Sequence, residues 1–165
     1  MPSSAFTILF PSHQIDRLVD RPLRLVPGGH NANSTFPSRL GPGDVLYPVA
    51  VERGELYVLA RMPVAAKVRR DDHLREHPED APYFTQGCGG WAAVGTAEAT
   101  SLRLDVVAPA PLVEAFRFRS PKQGERAIKH LKDGRITHTI AFHGVYEITD
   151  ATRALLDALI YAATD

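Results

Sequence analysis

The segment 41–68, GPGDVLYPVAVERGELYVLARMPVAAKV, constrains the fold more than any other part of the chain. Val45, Tyr47, Val49 and Val51 alternate with Leu46, Pro48 and Ala50, the two-residue period of a β-strand. One face is therefore β-branched and aromatic. Arg53-Gly54 separates this run from a second strand-like run, Leu56 to Arg61. A two-residue connection with Gly at its second place is the sequence signature of a tight hairpin, because Gly adopts positive φ without steric cost. Pro63 lacks a backbone donor, which predicts a bend or an edge there rather than a central strand. Helical periodicity is absent from the whole segment, so antiparallel β structure stands at the centre of the fold.

Around that centre the pattern is mixed. FTILF at 6–10 reads as a strand closed by Pro11, and Ser12 is placed to cap a helix through Val19. Residues 20–44 are rich in Pro, Gly, Asn and Ser and read as a long loop, the kind of segment that carries function. RRDDHLREHP at 69–78 predicts one or two exposed helical turns. Residues 79–95 read as a second irregular stretch, containing Cys88 and Trp91. SLRLDVV at 101–107 alternates as a strand, 111–115 as a helical turn, and FRFR at 116–119 as a strand again. Asp133-Gly134 is a turn. Leu155, Leu156, Leu159 and Ile160 form the apolar stripe of the clearest helix, 151–162, capped by Thr149 or Asp150. These elements predict an α+β domain: a small curved antiparallel sheet or open β-barrel, with peripheral helices and a C-terminal helix. No βαβ alternation appears, which argues against a doubly wound fold. The 165 residues suit one domain, 1–165, with 117–165 as a C-terminal extension of its core.

Charge and composition narrow the function classes. Lys plus Arg and Asp plus Glu number 19 each, so no global field draws the chain to nucleic acid or to a membrane, and any such attraction must be local. The apolar run LLDALIYAA is interrupted by Asp157 and too short to span a bilayer, so no membrane partner is expected. A single cysteine cannot close an internal disulfide, which suits a reducing cytoplasm. The abundance of Ala, Arg, Asp and Pro suggests a GC-rich bacterial source.

Candidate chemistry concentrates in three places. The loop residues His30, Asn33, Ser34, Thr35, Phe36, Ser38 and Arg39 combine amides and hydroxyls that read base edges, a ring that stacks and a cation that holds phosphate. The same residues also satisfy the description of a solvated loop whose Asn and Ser close their own turns. Trp91 follows Gly-Cys-Gly-Gly and reads either as the wall of a base-stacking pocket or as a core residue clamped by a turn. The stretch 117–135 carries Arg117, Arg119, Lys122, Arg126, Lys129, Lys132 and Arg135 against Glu125 and Asp133, and reads as a phosphate contact or as a solvated charged face. His73 and His77, four apart, would need a third ligand such as Asp71, Asp72 or Cys88 to hold zinc, and HExxH spacing is absent, so neither a metal nor a cofactor is expected. Gly-x-Ser-x-Gly, P-loop and dinucleotide-binding signatures are also absent.

The polar segment 33–39, the turn Gly43-Asp44 and the strands VLYPVAV and ELYVLARMPV together resemble the PUA-like superfamily, in particular its EVE and ASCH branches. Thr35 to Arg39 matches the Thr-x-x-x-Arg-like run of ASCH-type domains. The resemblance covers about residues 28–68 and implies that Thr35, Ser38 and Arg39 face a nucleic-acid cleft. The expectation is a non-catalytic module that binds RNA or DNA through a modified or flipped-out base, with Arg39, Arg117 and Arg119 on phosphates. Two alternatives stand beside it. One is a small metal-independent ribonuclease using His30, Tyr47 or Lys67 with Arg39. The other is an interaction domain that forms a homodimer through Ile160 and Tyr161.

Overall fold

The structure is a computed structural model that describes residues 3–28, 36–84 and 90–164. The chain runs β1 (Ala5–Leu9), α1 (Ser12–Leu18), β2 (Leu25–Pro27), β3 (Val45–Glu52), β4 (Glu55–Val58), β5 (Met62–Arg69) and α2 (Arg70–Glu76). A 3-10 helix at Pro78–Tyr83 leads toward β6 (Trp91–Gly95), followed by α3 (Ala110–Ala115), β7 (Arg117–Ser120) and β8 (Gly124–Ala127). A small ribbon of β9 (Leu131–Lys132) and β10 (Arg135–Ile136) precedes β11 (Val145–Ile148) and the long α4 (Asp150–Thr164).

The main sheet has the order β2-β6-β5-β3-β1-β11-β7-β8, with β4 also paired to β3. Among the pairings of these described strands, β1 with β3 is parallel and the others are antiparallel. β2 and β8 lie at opposite ends of that order, so the sheet is open and the expected β-barrel is not formed. Closure requires the two edge strands to meet in register, and here β11, carried by the last third of the chain, lies between β1 and the β7–β8 hairpin. The fold is α+β with a mixed, mostly antiparallel sheet.

β3 organises the centre. Its first residues, Val45 and Leu46, pair with β5, while Val49 to Glu52 pair with β4. β4 and β5 are thus two arms of one bent segment alongside β3, joined at residues 59–61. Pro48 explains the bend. Its carbonyl accepts from the Leu59 N–H at 2.9 Å, so its missing donor also faces the β4–β5 side. The parallel ladder to β1 loses nothing. Pro63 lies inside β5, opposite Val45, rather than at a free edge. The Arg53-Gly54 turn has φ of 53° and 81°, the doubly left-handed form that matches strand twist.

Alternation along β1 and β3 places two apolar clusters on opposite faces of the sheet. Val45, Tyr47 and Val49 join Phe116, Phe118, Phe142, Leu156 and Ile160 under α4. Phe6, Ile8 and Phe10 join Ile15, Leu18 and Leu46 under α1. The Thr149 hydroxyl accepts from the Thr152 N–H at 3.2 Å and caps α4. α4 buries Thr152, Leu156 and Ile160, leaving Leu155 and Tyr161 outside. Ile160 is therefore a core residue, not a dimer anchor. Two further expectations are corrected. Ser12 is the first helical residue of α1, with Pro11 in the cap position and no side-chain cap bond. Residues 101–107 form no strand; isolated bridges join Ser101 to Pro22 and Leu102 to Val19, between α1 and β2, and Val107 to Tyr57 of β4.

The Gly-Asp turn has a clear local cause. The Asp44 N–H donates to the Gly41 carbonyl at 3.1 Å, and Gly43 takes φ of 92°. Asp44 Oδ1 then accepts from the Ser4 N–H at 2.9 Å and Oδ2 from the Gly41 N–H at 3.0 Å. One carboxylate ties the turn to the start of β1 and sets the register of the parallel pair.

Candidate nucleic-acid interface

β11 and β7 pair through a single residue couple, Ile148 opposite Phe118. Beyond it the ladder stops, and residues 119–121 and 145–147, which would have continued it, line a cleft of about 280 Å³ instead. Arg39, Arg119, Ser120, Arg126, Tyr146 and Glu147 are among the residues that line it. Glu147 is 8% exposed and sits in the register position opposite Phe6 of β1. Arg39 Nε donates to Glu147 Oε1 at 3.2 Å, and the Arg39 guanidinium lies over the Phe6 ring, 5.5 Å from its centroid. Arg119 Nη1 is 3.8 Å from Glu147 Oε2, and its Nη2 is 3.8 Å from Asp150 at the exposed rim.

Arg126 reaches the cleft from β8, where it sits opposite Phe118. Its guanidinium lies 5.4 Å from the ring centroids of both Phe118 and Tyr146, a doubled cation–π contact. Its Nε is buried with no hydrogen-bond acceptor among the described residues. The Tyr146 hydroxyl donates to the His143 carbonyl at 2.7 Å, which fixes the ring. Three arginines thus line the cleft, with the buried Glu147 carboxylate and the rim carboxylate of Asp150 against them, an excess of one positive charge over these groups.

A second group adjoins this one contact by contact. Lys67 Nζ donates to the Ser38 carbonyl at 3.4 Å and lies 5.9 Å from the Trp91 ring centroid. Arg69 lies 5.3 Å from the same ring. Ser38 precedes Arg39, so the sequence Trp91, Lys67, Ser38, Arg39, Glu147, Arg119 is one chain of neighbours. Trp91 opens β6 rather than sitting in coil, and its side chain is 40% exposed. Its backbone is held, because the Gly28 N–H donates to the Trp91 carbonyl at 2.8 Å. A Cβ at Gly28 would meet the Phe36 ring at 2.8 Å, so the described ends of the 28–36 loop converge beside Trp91.

The other anticipated residues sort as follows. His30, Asn33, Ser34 and Thr35 lie outside the described residues, as does Cys88. Phe36 is buried in the core under α1 and cannot stack on a base, because its ring packs against Gly28. Ser38 and Arg39 are exposed and adjoin the cleft. The basic stretch does not act as one surface. Arg119 and Arg126 enter the cleft, whereas Arg117 Nη1 donates to the carbonyls of Glu114 and Phe116, at 2.8 and 2.7 Å, at the end of α3. Arg135 donates to the Arg53 carbonyl in the β3–β4 turn. Glu147, Tyr146 and Arg69 escaped the sequence reading. Alternation of VYEI marked a strand, but nothing local marked a buried carboxylate facing two arginines.

Two polar clusters lie apart from this face and hold elements together. The Tyr47 hydroxyl, fully buried, donates to Asp157 on α4, and Arg61 Nε donates to the same oxygen at 2.8 Å. Burial and the bond to Asp157 push the Tyr47 phenol far above its ordinary range. A sealed, protonated phenol cannot meet a ribose, so Tyr47 is not a general base. His73 Nε2 lies 2.8 Å from Asp80 Oδ2, and Arg24 donates to Asp80 Oδ1 at 2.8 Å, which joins α2 and the following 3-10 helix to the start of β2. His73 and His77 stack at 4.9 Å instead of converging on a common point. Among the described residues no cluster of His, Cys, Asp or Glu has the makings of a metal site, and no helix is long and apolar enough to cross a membrane.

The fold and face define an α+β protein with an open sheet and a cation-rich, Trp-flanked cleft. No protein-family model matches the chain, and no curated protein does. A solved structure titled as a hypothetical protein from Leishmania major is similar over 99% of this chain and 98% of its own, with a TM-score of 0.48 and 14% identity. The PUA-like resemblance and the bacterial source therefore rest on the sequence pattern alone.

Proposed function

We propose that this chain is a non-catalytic nucleic-acid-binding protein. Its interface runs from Trp91 past Lys67 and Arg69 to the cleft of Arg39, Arg119 and Arg126. The observation that carries the reading is the unbroken neighbour chain linking the half-exposed indole to the arginine cleft. Trp91 supplies a stacking face for one unpaired base, worth about 1–3 kcal/mol. Lys67 and Arg69 flank the ring and hold the adjacent phosphates, while the cleft arginines extend the track. The chain is neutral overall, so attraction is confined to this face, which suits a short single-stranded segment rather than a long groove.

Trp91 is the sole tryptophan, so intrinsic fluorescence reports directly on the interface. Titration with a short single-stranded oligonucleotide at low salt is expected to quench it. Affinity should fall as salt rises, with a log–log slope of about −2 to −3 for three or four phosphate contacts. Trp91→Ala should weaken binding by about tenfold or more while leaving the melting temperature unchanged. An oligonucleotide that neither quenches Trp91 nor shifts in mobility at low salt would refute the reading.

A further inference from the structure

A second hollow lies between α1 and the β3–β4 hairpin and shares no residue with the Trp91 face or the arginine cleft. Its volume is about 230 Å³, and Ile15, Leu59 and Leu104 supply most of its apolar lining. Asp16 of α1, Glu52 of β3 and Tyr57 of β4 line it too. We propose that this hollow binds an alkylammonium ion, a small amine with a short apolar stem. The assignment is independent of the nucleic-acid reading.

Charge selects the head group. Neither the Asp16 nor the Glu52 carboxylate has an ion pair or a hydrogen bond among the described residues. No lysine, arginine or histidine lines the hollow. Arg17 and Arg53, next to the two acids in sequence, are absent from its lining, and Arg103, next to Leu104, is matched to Asp105 at 2.9 and 2.6 Å. The Tyr57 phenol shows the sign of the local field: desolvation, then Glu55 and Glu52, hold it above its ordinary range, against an opposing effect of Arg53. Its hydroxyl donates to Glu55 Oε2 at 3.3 Å. No cation lies over the Tyr57 ring among the described residues, although such a ring attracts one. An ammonium ion therefore meets two unmatched carboxylates and an aromatic ring in one place. The apolar lining selects the stem. Leu104 is 50% exposed, and an alkyl chain laid against it removes that surface from water. The hollow adjoins another of about 390 Å³, which shares Ser12, Ile15, Ala50 and Glu52 with it and adds Phe10 and Val51, so the stem has apolar surface along which to extend.

The test titrates hexylammonium, hexanol and methylammonium into the full chain at low salt, with calorimetry for affinity and methyl NMR for location. Hexanol carries the stem without the charge, and methylammonium carries the charge without the stem. Hexylammonium should bind about tenfold tighter or more than either, with shifts at the methyls of Ile15, Leu59 and Leu104. Its margin over hexanol should shrink as salt rises. Combining Asp16→Asn with Glu52→Gln should bring hexylammonium and hexanol within about twofold of each other. Both side chains are exposed, so this variant should keep the wild-type circular dichroism spectrum and Tm. Leu104→Asn, also at an exposed position, should narrow the margin over methylammonium. Equal affinity for hexylammonium and hexanol would overturn the assignment, because charge would then select nothing. Equal affinity for hexylammonium and methylammonium would reduce the hollow to a charged surface and overturn it as well. So would shifts confined to other methyls, a preference for the amine that survives in the double variant, or no binding by any of the three.

Discussion

Replacing Tyr47 by phenylalanine removes a hydroxyl that has no contact with solvent and donates to Asp157. At neutral pH the loss leaves Asp157 with Arg61 as its partner, and should cost about 1–3 kcal/mol of stability. The pH dependence is more diagnostic. The phenol's pKa is raised in the folded state from an ordinary 10.0, because burial and the neighbouring carboxylate oppose the phenolate. The folded state therefore holds the proton more tightly than the unfolded chain. Below pH 10 both states are protonated and the contribution is intact. Above it the unfolded phenol ionises while the folded one does not, so stability falls as pH rises. Ionisation of the unfolded tyrosine lowers its free energy by about 0.4 kcal/mol at pH 10 and about 1.4 kcal/mol at pH 11. The phenylalanine variant has nothing to ionise at this position. The stability difference between wild type and Tyr47→Phe, measured by urea unfolding with circular dichroism, should shrink by about 1.4 kcal/mol between pH 8 and pH 11. Other alkaline titrations are common to both proteins and cancel in the difference. A difference that stays constant across this range would show that the phenol ionises equally well in the folded state, and would refute the sealed arrangement.

Asp44→Ala removes the acceptors of two backbone N–H groups, Ser4 and Gly41, and should destabilise by about 1–3 kcal/mol; hydrogen exchange at the start of β1 should accelerate with it. Leu156→Ala, at a fully buried position under α4, should cost about 2–5 kcal/mol in denaturant unfolding, whereas Leu155→Ala, one residue away and exposed, should stay within about 0.5 kcal/mol of wild type.

What could be read from the residues alone was whatever repeats within a few positions. The alternation in β3, the left-handed pair Arg53-Gly54, the Asp133-Gly134 turn and the apolar stripe of α4 are local patterns, and each element stands near its predicted place. Arg39 and Arg119 were also legible, as cations in polar surroundings. Tertiary structure alone decided the rest. Arg39 meets Glu147 across 108 residues of sequence, and Arg126 finds Tyr146 only because β11 returns beside β1 and stops pairing with β7 after one couple. Phe36 and Trp91 both carry large rings near glycines, yet packing turned one inward and left the other half in water. Whether the sheet closes depends on how distant edges register, and no run of neighbouring residues encodes that. A cleft made where a ladder fails has no sequence period, since its cause is the long-range divergence of two strands.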